Sequence, residues 1–377
     1  GQLHVIDFNR NDYGDPWEEF NRIVWCAQKA PLFASGMVNG YFDDNVPMEF
    51  WRLLALYISS NTLSSVYWAI PFGQDEVNTM LNQAKEVLSW YDNMRNPVPT
   101  WYFKGYYLQY IDGIPFKLKS AFDFSFMKEY GTVFKVYDDQ DSGNICFGTE
   151  KDGQRYFVKF AGAPTEQFGG DPADAISRLK ATLPIYSDLK HENLIELIEA
   201  KEIGDGFAMV FKWADSDCMG RMYPAAHRRF MQLPINDRLA VFSDILSFLE
   251  CVASRKYVAI DFYDGSIMYD FANGKTTICD IDLFHKQPCV NDMGRMWGSS
   301  RFQSPEEYQL GADIDEITNV YTLGATAFAL FGEYNRTREK WQLSDKLFEI
   351  ATRAVSDDRA NRQQTIRQFT AEWEAAQ

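Results

Sequence analysis

Apolar and polar positions follow two rhythms along the chain, and the change comes near residue 120. Before it, apolar residues recur at helical spacing over about 17–29, 48–70 and 75–93, which predicts three helices. An apolar run from Leu3 to Phe8 predicts a strand ahead of them, followed by a polar turn through Gly14, Asp15 and Pro16. Asn96-Pro97-Val98-Pro99 is expected to end the last helix, because proline lacks an N–H donor and restrains the residue before it. The aromatic stretch from Trp101 to Phe116 reads as a connector.

After residue 120 the spacing shortens to that of strands. Val133 to Tyr137, Asn144 to Phe147 and Tyr156 to Phe160 are separated by polar Gly/Asp turns and predict three strands. One helix is expected over about 173–188, then strands near 194–201 and 206–212. From 234 onward the pattern is mainly helical, interrupted by short strands near 256–260, 266–270 and 276–280. The reading is therefore α+β: a mostly helical first segment, a small β-rich lobe, then a larger α-helical lobe.

Composition narrows the classes. A hydrophobic fraction of 46% leaves ample apolar surface for a packed core and argues against disorder. The net charge of -16 argues against a nucleic acid or an anionic membrane as partner. No apolar run reaches the roughly 18 residues of a membrane span. The six cysteines form no C-x-x-C pair and four histidines form no ligand cluster, so reduced thiols, a cytoplasmic setting and no structural zinc are expected. Oligomeric state is not legible.

Candidate chemistry falls in one order within the second part. Lys159 closes an apolar strand and can offer a point charge to phosphate oxygens. Asp261 follows the apolar Tyr257-Val-Ala-Ile and opens a polar loop that can expose it at a cleft. Asp280 and Asp282 end a further strand, an arrangement common for a divalent ion. Ser304-Pro305-Glu306 and, later, Arg362 complete the series.

That order resembles the protein-kinase fold, bacterial serine/threonine kinases in particular, over about residues 118–377, with a small lobe over about 118–213 and a large lobe over about 214–377. His191-Glu-Asn-Leu-Ile and Val210-Phe-Lys-Trp-Ala-Asp are similar to the segments that precede strand four and join the lobes. The resemblance implies ATP and Mg²⁺ as cofactors and phosphoryl transfer to a hydroxyl. Asp261 is then the catalytic aspartate. Lys159, the reduced glycine loop Ser142-Gly143-Asn144, and Phe211 and Trp213 at the hinge bind the nucleotide. Asp280, Ser266 and Asp282 hold the metal. Glu306 is expected to pair with Arg362.

The sequence also departs from the pattern. Ala259-Ile260 stand where histidine and arginine usually precede the aspartate, and Asp280-Ile281-Asp282 replaces D-F-G. Thr182 stands where a glutamate partner for Lys159 is expected, and Tyr263 where serine/threonine kinases keep lysine. The leading expectation is a kinase acting on Ser/Thr hydroxyls of protein. The alternatives are a small-molecule kinase of aminoglycoside or choline type, and a pseudokinase scaffold without transfer.

Residues 1–117 are similar to the C-terminal half of an aminoglycoside phosphotransferase or choline-kinase-like enzyme, through Ile6-Asp7-Phe8, Gly14-Asp15-Pro16 and the stretch Pro47 to Ala69. In that resemblance Asp7 matches a metal aspartate. No nucleotide lobe precedes it in the chain as read, so a helical packing or substrate-recognition unit is the expectation.

Overall fold

The helical spacing of the first hundred residues builds helices, and the computed structural model describes residues 14–103 and 105–377. The strand expected at Leu3 to Phe8, with Asp7, lies outside the described residues. Contacts divide the chain into two compact units, between Tyr106 and Tyr107.

The first unit contains α1 (Ile23–Lys29), α2 (Pro31–Tyr41), α3 (Met48–Ala69) and α4 (Gln74–Trp90). Phe50, Trp51, Leu54 and Ile58 form one stripe on α3 and bury against Val24, Ala34, Val38 and Val87. Helix α2 was not anticipated. Its Pro31 sits in the first turn, where a missing N–H leaves no helical bond unmade. Helix α4 stops at Trp90, ahead of the Pro97/Pro99 pair, because Asp92, Asn93 and Met94 turn the chain with φ of 47°, 52° and 65°.

The second unit opens with a hairpin, β1 (Tyr107–Ile111) and β2 (Ile114–Leu118), inside the stretch read as a connector. Its turn is Asp112-Gly113, with φ of 47° and 83°. An Asp-Gly pair between alternating residues is a hairpin signal the reading passed over. Next come β3 (Thr132–Tyr137), β4 (Asn144–Lys151), β5 (Gln154–Ala161), α5 (Pro172–Ala181), α6 (Leu183–Asp188), β6 (Leu197–Ile203) and β7 (Gly206–Lys212). The strands form one antiparallel sheet in the order β3-β4-β5-β7-β6. The single helix expected over 173–188 is two, since Pro184 lacks the N–H that would continue the α5 ladder.

Strand alternation sorts the sheet's side chains. Val158, Phe160, Ala208 and Val210 bury with Phe116 and Leu118 of the hairpin. Ala161, Phe207, Met209 and Phe211 face the other way, into a core shared with Ala175, Leu179 and Tyr186 of the two helices. Lys159 lies on this second face by parity.

The same core continues into the C-terminal part, through β8 (Asp217–Cys218), α7 (Pro224–Met231), α8 (Ile235–Ser254), β9 (Tyr257–Val258), β10 (Ile267–Asp270) and β11 (Lys275–Ile278). Then come α9 (Glu316–Phe331), α10 (Asp345–Ala354) and α11 (Ile366–Ala376). Helix α9 is buried from Thr318 through Phe331. Its Gly324 permits close packing, since a Cβ there would sit 2.7 Å from Ala354 Cβ. Among the described residues no helix is long and apolar enough to cross a membrane.

Candidate functional site

Hydrogen bonds fix the loop after β9 and tie it to the end of β11. The buried Asn319 side chain on α9 accepts from Ala259 N–H at 2.7 Å and donates to Tyr257 O at 3.0 Å, fixing the strand that leads into Asp261. Cys279 N–H donates to Ser266 O at 2.9 Å, tying the residue before Asp280 to the same loop. Ser266 Oγ, fully buried, donates to Asp261 O at 3.5 Å. Asp261 and Asp280 both adopt left-handed backbone, with φ of 60° and 56°. Aspartate tolerates this conformation better than most residues, and such positions concentrate at functional sites.

Lys159 reaches this place from β5. Its Nζ lies 2.5 Å from Asp282 Oδ2 and 3.3 Å from Asp280 Oδ1. Burial works against its charge, but the carboxylates of Asp282 and Asp280 outweigh that and hold the ammonium well above the usual lysine range. The second oxygen of Asp282 accepts from Tyr186 OH on α6 at 2.9 Å. Burial, then the charges of Asp282 and Asp280, keep that phenol protonated far above its usual range. Thr182, at the expected glutamate position, is buried and bonds Leu179 O at 2.8 Å and Met209 Sδ at 3.2 Å. The lysine's strongest counter-charge therefore comes from Asp282, which Tyr186 of α6 also holds.

Asp261 sits in a different electrostatic setting. Partial burial, then the negative charges of Asp280 and Asp141, push its carboxyl up to about 6, while the Ser299 backbone N–H favours the ionised form. Burial pushes the Cys146 thiol, paired across the sheet with Lys159, up to about 12, so it is no thiolate at neutral pH.

The donor set suits a hard cation that arrives with phosphate oxygens. Asp280 keeps 57% of its side chain exposed and lies within electrostatic reach of Asp261. A Mg²⁺ bound together with phosphates needs only one or two protein carboxylates. Asp282 has one oxygen on Lys159 and the other on Tyr186, and the Ser266 hydroxyl is fully buried, so Asp280 is the most open of the three. Among the described residues no three His, Cys, Asp or Glu side chains are grouped to hold a metal.

The remaining candidates divide. Gly143 has φ 84°, and a Cβ on it would meet Phe168 and Ala175 at 2.7–2.8 Å, so packing against α5 demands glycine here. Ser142 O accepts from Arg178 at 3.0 Å, and Ser142 Oγ accepts from Asn144 Nδ2 at 3.2 Å. The neighbouring Asp141 is within electrostatic reach of Asp261. Phe211 is a core residue beside Tyr186, with ring centroids 5.1 Å apart. Trp213 packs edge-on to Phe134 at 5.0 Å and bonds Asp215 at 3.0 Å, among partners separate from the Lys159 cluster.

Below the site, Arg362 is fully buried and grips Glu306 with both guanidinium nitrogens at 2.7 and 2.9 Å, the pairing expected from sequence. Arg359 Nη1 adds a third bond at 2.8 Å and Thr318 OH a fourth at 3.0 Å. Sequence reasoning assigned no role to Tyr186, Asn319 or Asp264. Asn319 did carry a signal, as a lone amide in the apolar Val320-Tyr-Thr-Leu helix. Asp264 accepts from Tyr334 OH at 2.5 Å and from Arg301 at 3.4 Å. No protein-family model matches the chain, and no curated protein matches its sequence.

Proposed function

We propose that the second unit is an ATP- and Mg²⁺-dependent phosphotransferase with a two-lobed, protein-kinase-like arrangement, acting on Ser/Thr hydroxyls of protein. One observation carries this reading: a half-buried strand lysine, Lys159, meets Asp280 across 121 residues of sequence, and Asp280 is within electrostatic reach of Asp261. Phosphoryl transfer asks a protein mainly for positioning and charge placement. Lys159 would bind phosphate oxygens of the nucleotide. Asp280 would hold the metal, whose contribution is to neutralise phosphate charge. Asp261 would accept the proton of the acceptor hydroxyl as its oxygen bonds to the γ-phosphorus and ADP departs with the electrons of the broken P–O bond. A base near 6 is ionised at neutral pH yet more basic than an ordinary aspartate.

A second reading, nucleotide binding without transfer, is favoured by the engagement of Asp282 and Ser266, which leaves Asp280 as the exposed carboxylate of the predicted metal set. Melting with ATP, with Mg²⁺ and with both separates the two. The leading reading expects a rise that needs both, by mass action, and labelled phosphate transferred to a protein acceptor by the wild type but not by Asp261→Ala. A rise with ATP alone and no transfer to any acceptor would establish the second.

A further inference from the structure

Near the loop that carries Asp261, two arginines lie over one tyrosine ring and a third, Arg336, joins them from the ring of Tyr321, 5.1 Å away. The guanidinium carbons of Arg221 and Arg301 lie 5.0 and 5.2 Å from the Tyr334 ring centroid. Arg336 donates to Arg301 O at 3.3 Å and to Tyr321 OH at 2.8 Å. The carboxylate among them is Asp264, which is buried and already held by Tyr334 OH at 2.5 Å and Arg301 at 3.4 Å. Arg221 and Arg336 are exposed, and among the described residues neither forms an ion pair with a carboxylate. Arg301 Nε is a buried donor without a partner. The cluster is thus locally positive in a chain of net charge -16.

Its place ties it to the reacting centre. Asp264 is three residues beyond Asp261, and the amide of Ser299, two residues before Arg301, favours the Asp261 carboxylate. Phe302 packs on Tyr263 and on Tyr334, each at 6.3 Å, which joins the arginine segment to the catalytic loop. A planar guanidinium held on an aromatic face is preorganised for a carboxylate or phosphate.

We propose that Arg221, Arg301 and Arg336 form an anion-recognition subsite for the acceptor, selecting peptides with an acidic or phosphorylated side chain near the hydroxyl to be modified. This rests on the phosphotransferase reading for the identity of the acceptor, but its test needs no turnover. The global charge sharpens it. At physiological ionic strength fields decay over about 8 Å, so a net-negative protein without a local site should favour basic peptides.

The experiment measures fluorescence anisotropy of three labelled serine peptides on the full chain: one flanked by aspartates, one by phosphoserine, one by lysines. The wild type should bind both anionic peptides at least about tenfold more tightly than the basic one, a difference within reach of a few charge-assisted hydrogen bonds. Preference for both reports general anion recognition, and preference for phosphoserine alone assigns the subsite to phosphate. Arg221→Gln/Arg336→Gln should abolish the preference. Equal binding, a basic preference, or a preference that survives in the double variant would overturn the proposal. Arg221→Gln alone removes a ring contact without a hydrogen bond, so it tests the idea should the double variant melt early. ATP with Mg²⁺ in a parallel melt reports on the phosphotransferase reading separately.

Discussion

Replacing Asp261 by asparagine removes a charge and little else. Asparagine has the same shape, tolerates left-handed backbone at φ 60°, and can still accept from the Ser299 amide. The carboxyl shifts from 3.8 to about 6 in the folded chain. Because the folded-state value is the higher one, the folded chain holds this proton more tightly across that interval. Stability is therefore lost as pH rises through it. Two pH units correspond to about 3 kcal/mol at 1.36 kcal/mol each. Partial exposure reduces this to about 1–2 kcal/mol. Asp261→Asn should then be more stable than wild type at neutral pH, by about 3–6 °C in melting temperature for a unit of this size. The gap should shrink to nearly nothing at about pH 4, where the wild-type carboxyl is protonated in the fold. Calorimetric melts of both proteins from about pH 4 to pH 7.5 test this, and the same variant should lose phosphate transfer by at least about a hundredfold. A variant less stable than wild type at neutral pH, or a gap that ignores pH, would refute the electrostatic account of Asp261.

Lys159→Met should weaken ATP binding by at least about tenfold in a titration, and should lower the melting temperature, because the mostly shielded Asp282 would lose its counter-charge. Arg362→Met should cost about 3–5 kcal/mol in urea denaturation, since Glu306 would keep its charge at a site shielded from water; a loss below about 1 kcal/mol would show that Arg359 alone satisfies that carboxylate. Gly143→Ala should destabilise by about 1–3 kcal/mol through its left-handed backbone, with Phe168 displaced as well, and an unchanged melting curve would contradict the packing role given to this loop.

Much of the second unit was legible because its signals are local. Residues that alternate along a strand are neighbours in the chain, so the period of Tyr156 to Phe160 marked β5 and put Lys159 on the face opposite Val158 and Phe160. The order lysine, Asp261, Asp280, Glu306, Arg362 could be read off directly, and the Glu306–Arg362 pair formed as expected. Helix α2 lies between the helical segments read from the spacing, and Pro31 in its first turn costs it nothing. The break at Pro184 and the hairpin at Asp112-Gly113 were written in the sequence and overlooked.

What the chain alone could not decide is which charges meet. Asp282 looked as suitable for a metal as Asp280, yet it lies 2.5 Å from Lys159, 123 residues away, and accepts from Tyr186, 96 residues away. Asp264 meets Tyr334 across 70 residues, and from that contact follow the arginine cluster and the proposed choice of acceptor. Period and propensity are properties of a few consecutive residues, while the partner of a buried charge depends on how the sheet, α6 and the loop after β11 pack. Residue type therefore marked Lys159, Asp261 and Asp280 as candidates. Burial and long-range contact assigned Asp282 to the lysine and raised the proton affinity of Asp261, because desolvation and Coulomb energy exist only once the pieces are in place.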